Sequence, residues 1–171
     1  MSKQFMLLIS ALTLSACAAV GSQAVHPLTP SASEIEEFRA REVELWQAWN
    51  ARLVPADVRR FYSQNPDTIH FDFSPMKFKG WDEYERVATQ AIGNSARAET
   101  KINDDFTLIK NGDRAVTAFT FHVDFYSNDG IRRNGLNARE TDVWVQENGR
   151  WVIAHQHMSL PSSPGQDPAG K

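Results

Sequence analysis

The chain has 171 residues, 42% of them hydrophobic and 23% charged, with a formal net charge of −3. That composition suits one globular domain with a sizeable core and argues against a second. The acidic balance, with no basic stripe interleaved with aromatics, excludes a nucleic-acid footprint.

Residues 1–16 read as a signal peptide: Lys3 gives a positive start, and the apolar run over 5–14 falls short of the ~20 residues that span a bilayer. Leu14-Ser15-Ala16-Cys17 resembles a bacterial lipobox, and Cys17 is the only cysteine. The resemblance implies cleavage before Cys17, lipidation of its thiol and a lasting lipid anchor. The plainer alternative is a secretory cut after Ser22-Gln23-Ala24. Ala18 in place of an aspartate resembles the sorting pattern of outer-membrane lipoproteins, so the expected location is the bacterial cell envelope, facing the periplasm. Residues 17–32 are then the lipidated cysteine and a proline-punctuated flexible tether, 33–160 the folded domain, and 161–171 a disordered tail.

In the domain, Ser33 followed by Glu36 suggests a capping box, and Ile35, Phe38, Leu45, Trp46, Trp49 and Leu53 recur at helical spacing. Glu42 falls within that stripe, where it could point into a pocket, and is expected rather at the stripe's wet edge. Pro55 opens a short second helix with Val58, Phe61 and Tyr62. Residues 68–73 alternate, with Ile69, Phe71 and Phe73 on one side and His70 and Asp72 on the other, which predicts a strand. Gly80 opens a third helix whose apolar face includes Trp81, Tyr84, Val87 and Ala88. From residue 98 onward the pattern is strands. Phe119, Phe121, Val123 and Phe125 share one face of a strand and Ala118, Thr120, His122 and Asp124 the other. Four large apolar residues in one row exceed what a monomer usually exposes, so this face is expected to form a homodimer.

Residues 139–159 predict a β-hairpin around Asn148-Gly149. Its return strand would alternate, with Trp151, Ile153, His155 and His157 opposite Val152, Ala154, Gln156 and Met158. A two-residue turn would pair Asp142 with His155; a three-residue loop with a glycine bulge would set Asp142 beside Gln156 and send both histidines to the other face. The pattern T-D-V-W, a polar turn, then R-W-V-I-A-H-Q-H-M-S resembles the closing hairpin of the nuclear transport factor 2-like (NTF2-like) superfamily, and is most similar to SnoaL-like proteins and the association domain of calcium/calmodulin-dependent kinase II. The likeness runs loosely from residue 33 to 159. It implies an α+β, cone-shaped NTF2-like fold with three N-terminal helices packed on a strongly curved, mostly antiparallel sheet, and it favours the second register.

The resemblance also implies a pocket. Asp72 matches the proton-shuttling carboxylate of ketosteroid isomerase and Asp142 its protonated acid, two carboxyls that the isomerase holds at well-separated pKa values. Leu45 stands where the isomerase has a tyrosine, so half of that oxyanion hole is missing, and His122 and Asp142 stand where the kinase domain has arginines, so the kinase domain's carboxylate ligand class does not carry over. Asp72, Asp142 and His122 are the candidate catalytic groups. His70, Trp81, Tyr84, Asp124, Glu140, Trp144 and Gln156 are the candidate ligand contacts. The expected occupant is a small apolar or amphipathic molecule; the alternative is a ketosteroid-isomerase-like or SnoaL-like enzyme, an isomerase, dehydratase or cyclase using Asp/His acid-base catalysis, and a further one is an oligomerisation or interaction module. His155-x-His157 is a weak metal signal and reads as interface histidines; no metal and no cofactor is expected.

Overall fold

The computed structural model describes residues 29–73, 76–92 and 95–161. The expected signal peptide, the lipidation site Cys17, all but the end of the tether and the tail beyond residue 161 lie outside the described residues. Among the described residues no helix is long and apolar enough to cross a membrane.

The fold is three helices on a mostly antiparallel curved sheet. Helix α1 (Ala32–Arg52) begins at Ser31 rather than at the expected Ser33. Ser31 Oγ accepts the Glu34 N–H at 3.3 Å, and Glu34 accepts the Ser31 N–H at 2.9 Å. Lys110 holds the same glutamate at 2.8 Å, which favours this earlier box. The helix stops at Leu53, whose left-handed φ of 52° lets its N–H return to the Trp49 carbonyl. Phe38, Glu42, Leu45 and Trp46 are its buried residues. Glu42 therefore lies in the middle of the inward stripe, not at its wet edge: positions i, i+4, i+7 and i+8 from Phe38 share one helical face.

Five strands make the main sheet: β3 (Ser95–Ile102), β4 (Thr107–Asn111), β5 (Arg114–Ser127), β6 (Arg132–Glu147) and β7 (Arg150–Ser159). The order is β3-β5-β6-β7, with β4 pairing the first residues of β5 and β3 the later ones. All these pairs are antiparallel. Helix α1 packs on the inner face, where Trp46 meets Phe121 at 4.9 Å between ring centroids and Phe38 meets Trp144 at 5.9 Å. Phe119, Phe121 and Val123 are buried in this core and Phe125 packs against it. The row expected to form a dimer surface is thus covered by the protein's own helix.

The β6–β7 hairpin turns in two residues, Asn148 and Gly149, both at positive φ (53° and 76°) as a primed turn needs. The three-residue loop is not formed. The register nevertheless brings Asp142 opposite Gln156, because pairing slips between Val143↔His155 and Trp144↔Ile153, leaving Ala154 as an extra residue. This bulge breaks the expected alternation. Ile153, Gln156 and Met158 are all buried, and His155 and His157 pair with Val143 and Thr141 on the other side.

The free edge of β7 is covered by the chain from Tyr62 to Phe71. Ser63 N–H reaches the Ile153 carbonyl at 2.9 Å, Phe71 N–H the Gln156 carbonyl at 2.8 Å, and Met158 N–H the Phe71 carbonyl at 3.0 Å. Helix α2 (Pro55–Val58) and a 3-10 turn (Arg59–Phe61) lead into this segment. Its backbone bonds to β7 limit the expected strand to β1 (Ile69–His70), paired with β2 (Phe78–Lys79). Its polar side faces inward: His70 is buried. Helix α3 (Gly80–Ile92) follows; a Cβ at Gly80 would lie 3.0 Å from the Pro66 carbonyl, and its φ is +71°.

If the aromatic row of β5 is core, Phe121→Ala should lower stability by about 3–5 kcal/mol, measured by urea denaturation. The loss should not depend on protein concentration; a concentration-dependent loss would restore the interface reading.

Candidate functional site

A cavity of about 190 Å³ lies between α1, α3 and the inner face of the sheet. Its walls are largely apolar, with Trp46, Trp49, Tyr62, Tyr84, Phe121 and Phe125 as the aromatic part. Four polar or potentially polar groups break that surface: Asp72, Tyr62, Tyr84 and Gln156. No lysine, arginine or histidine is among its described lining residues.

Asp72 is partly exposed, and its carboxylate accepts the Phe73 N–H at 2.5 Å. Burial against apolar neighbours pushes its pKa up to about 6, opposed in part by that hydrogen bond. The bonds of Phe71 to β7 fix where Asp72 stands. Tyr62 packs on Trp81 at 4.6 Å between ring centroids, the rings tilted by 35°, and donates its hydroxyl to Gln156 Oε1 at 3.1 Å. Burial raises the hydroxyl pKa of both Tyr62 and Tyr84 well above the usual value, so both remain donors.

Behind the wall made by Trp46 and Gln156 lie three fully buried carboxyl groups, Glu42, Glu140 and Asp142, with oxygens within 4.8 Å of one another. Each of four elements supplies a donor. Thr117 of β5 and Trp144 of β6 donate to Glu42 Oε1 at 2.7 and 3.2 Å. Trp46 of α1 and Gln156 of β7 donate to Glu140 Oε2 and Oε1 at 3.2 and 2.5 Å. Burial pushes Glu42 up to about 7. Burial, then the neighbouring Glu42, raises Glu140 as well, opposed in part by the hydrogen bonds it accepts from Gln156 and Trp46. Asp142 is raised well above the carboxylate range by burial and then by Glu140 and Glu42. A carboxyl trio this close is also how a hard cation is held, but only Glu42 Oε2 and the two Asp142 oxygens lack a donor. With the other oxygens tied to N–H and O–H donors and burial raising all three groups, the donor set suits shared protons.

The structure does not bring the expected trio Asp72, His122 and Asp142 together. Asp72 lines the cavity, Asp142 is buried behind it, and His122 stands on the outer face of β5. There His122 Nδ1 bonds Asn137 at 2.8 Å, and Asp124 is held by Arg132 at 2.6 Å, which lowers its pKa. The reason is the strand period: Phe121, Val123 and Phe125 take the inward positions, so His122 and Asp124 cannot. Tyr84 and Gln156 line the cavity. Glu140 and Trp144 belong to the buried acid cluster. Trp81 is buried behind the tyrosines and donates to Glu85 at 2.7 Å. His70 packs edge-on to Tyr62 at 5.7 Å, bonds Thr68 at 3.3 Å, and is kept neutral by burial, its pKa lowered to about 4. His155 Nδ1 donates to the Ile69 carbonyl at 2.6 Å, and both hairpin histidines pack on Phe71, which gives them a structural role.

Sequence reasoning missed Tyr62 and Thr117 as members of the site and preferred the wrong one of two placements for Glu42. A glutamate at the centre of an apolar helical stripe was the available signal.

The SnoaL-like domain model matches residues 31–163. No curated protein sequence matches the chain. Among solved structures, an NTF2-like superfamily protein from Salmonella enterica aligns with a TM-score of 0.64 at 20% identity, covering 80% of this chain and 97% of that one. An NTF2-like protein of unknown function from Pseudomonas putida aligns with a TM-score of 0.64 at 21% identity, over 79% and 92%. The association domain of the Caenorhabditis elegans kinase CaMKII aligns with a TM-score of 0.56 at 17% identity, over 73% and 95%. At these identities the likeness is one of fold.

The raised carboxyls set the sign of the pH dependence. A folded pKa above the unfolded one means the native state keeps protons that the unfolded chain releases, so the stability is present at low pH and is lost as pH rises. His70, lowered to about 4, acts the other way only up to its ordinary value near 6.5. Stability should therefore fall between about pH 6.5 and 8 by roughly 1–3 kcal/mol per pH unit, followed by denaturant titration at each pH. Asp142→Asn should make that fall shallower; a flat wild-type profile would contradict the protonated cluster.

Proposed function

Because the chain belongs to the SnoaL-like domain family, a family of pocket domains and isomerase-like enzymes, we propose that its cavity binds a small apolar or amphipathic molecule. The observation that carries this is the lining itself: about 190 Å³ of largely apolar space, with its few polar groups gathered at Asp72, Tyr62, Tyr84 and Gln156. Such walls favour a ligand by burying its apolar surface, while a few fixed polar groups orient it.

A second reading rests on Asp72. A carboxyl at the cavity with its pKa pushed up to about 6 is suited to take a proton at neutral pH and return it. Asp142, set behind the wall, is not placed to touch the ligand.

The proposal includes the protein's location. The lipobox-like Leu14-Ser15-Ala16-Cys17 and the lack of any other cysteine support a lipid anchor at Cys17 in the bacterial envelope. Cys17→Ser should move the protein from the membrane to the soluble fraction; a variant that stays with the membrane would sink the anchor.

Binding is tested by native mass spectrometry of the wild-type domain against a small-molecule library, with Ala88→Phe as the filled-cavity control because Ala88 is one of the wall residues. A specific ligand bound by the wild type and lost in a folded Ala88→Phe protein is the expected result. A binder keeps most affinity in Asp72→Asn. An enzyme loses turnover there by roughly 10²–10⁴-fold. No bound ligand across the library, or equal binding by Ala88→Phe, would overturn the pocket reading.

A further inference from the structure

Where the donors point decides which buried acid carries charge. Both oxygens of Glu140 are occupied by N–H donors, from Trp46 and Gln156. Glu42 takes both of its donors on Oε1, which leaves Oε2 free, and Asp142 receives none. Two bare carboxylates repel, so each carboxyl-carboxyl contact in a dry interior needs a proton. One arrangement keeps every carboxyl O–H off an oxygen that already faces an N–H donor. Glu42 donates through Oε2 to Asp142, Asp142 donates to Glu140, and Glu140 is the ionised end, held by two N–H groups.

The facing groups agree. Thr117, Trp46, Trp144 and Gln156 supply only neutral donors. Tyr62 and Tyr84 are protonated, His70 beside them is neutral, and Asp72 near Tyr84 is an acid. None of the ion pairs among the described residues involves the trio.

Gln156 extends this order to the cavity. Its amide nitrogen must face the Glu140 carboxylate, since the reverse would set two acceptors together, and its oxygen is then engaged by the Tyr62 hydroxyl. With Tyr62 on its oxygen and Glu140 on one N–H, the donor that Gln156 has left for a ligand is its second N–H. We propose that Glu42, Asp142 and Glu140 form an ordered chain of two protons and one charge, and that through Gln156 it makes the cavity select neutral ligands whose buried end is a hydrogen-bond acceptor, such as a ketone, ester or amide carbonyl. A carboxylate end would lie against the Glu140 and Asp72 charges with no cation among the described lining residues. The selectivity rests on the ligand-binding reading above; the chain itself does not.

Amide replacements test the chain without any ligand. In Glu42→Gln and Asp142→Asn the new NH₂ sits where the O–H donated, so the melting temperature at neutral pH should stay near wild type. In Glu140→Gln an NH₂ must confront an N–H donor, and the melting temperature should drop by about 3–10 °C. A comparable drop, or failure to fold, in Asp142→Asn or Glu42→Gln overturns the chain. So does a comparable drop in the wild type on adding EDTA, which would show a cation in place of the protons.

Three matched probes, acetophenone, ethylbenzene and benzoate, test the selectivity by titration calorimetry at neutral pH. Acetophenone should bind roughly 10-fold tighter than ethylbenzene, the value of one hydrogen bond of about 1.4 kcal/mol, and benzoate more weakly than both. A folded Gln156→Met protein should lose the preference. Benzoate binding as tightly as acetophenone overturns the selectivity alone, whereas binding of none of the three overturns the ligand reading together with the selectivity.

Discussion

Three carboxyl groups with no cation beside them among the described residues share a dry interior only if they share protons, and Glu42, Glu140 and Asp142 are placed under that constraint. The cluster joins α1 to β5, β6 and β7 through directed hydrogen bonds. Apolar packing between Trp46 and Phe121 or Phe38 and Trp144 gives the helix its affinity for the sheet without fixing its rotation. The acid cluster fixes that rotation, because Glu42 meets Thr117 and Trp144 only in one seating of α1. The cavity wall then follows, since Trp46 and Gln156 belong to both the cluster and the lining.

Ordinary elements position these groups. The bulge at Ala154 changes the inward residues of β7 from one parity to the other and delivers Gln156 opposite Asp142. The same strand takes Phe71 on its free edge and thereby places Asp72 at the cavity. Two polar groups of the cavity wall thus depend on one strand and its irregularity. A bulge beside a site commonly re-aims side chains in this way.

The helices, the strands and the closing hairpin were legible because periodicity records burial directly. Asp72, Tyr84 and Gln156 were legible as cavity residues through the family resemblance. The row from Phe119 to Phe125 was legible as apolar, yet periodicity cannot say whether another chain or the protein's own helix covers it. His122 and Asp124 were misplaced because an i, i+2 polar pair looks alike on either face of a strand. Glu42 was set at a wet edge because a charged residue in an apolar stripe is usually exposed. Its burial is intelligible only once Thr117, Trp144 and two further acids, distant in sequence, are seen around it.

The central claim is that these buried acids hold protons at neutral pH, and carboxyl carbon NMR of the wild-type protein tests it most directly. With Asp and Glu side-chain carboxyls labelled, the account predicts a protonated-acid shift for Asp142 that does not move between about pH 5 and 8, beside a Glu140 signal with carboxylate character. Carboxylate shifts for all three residues throughout that range would contradict it.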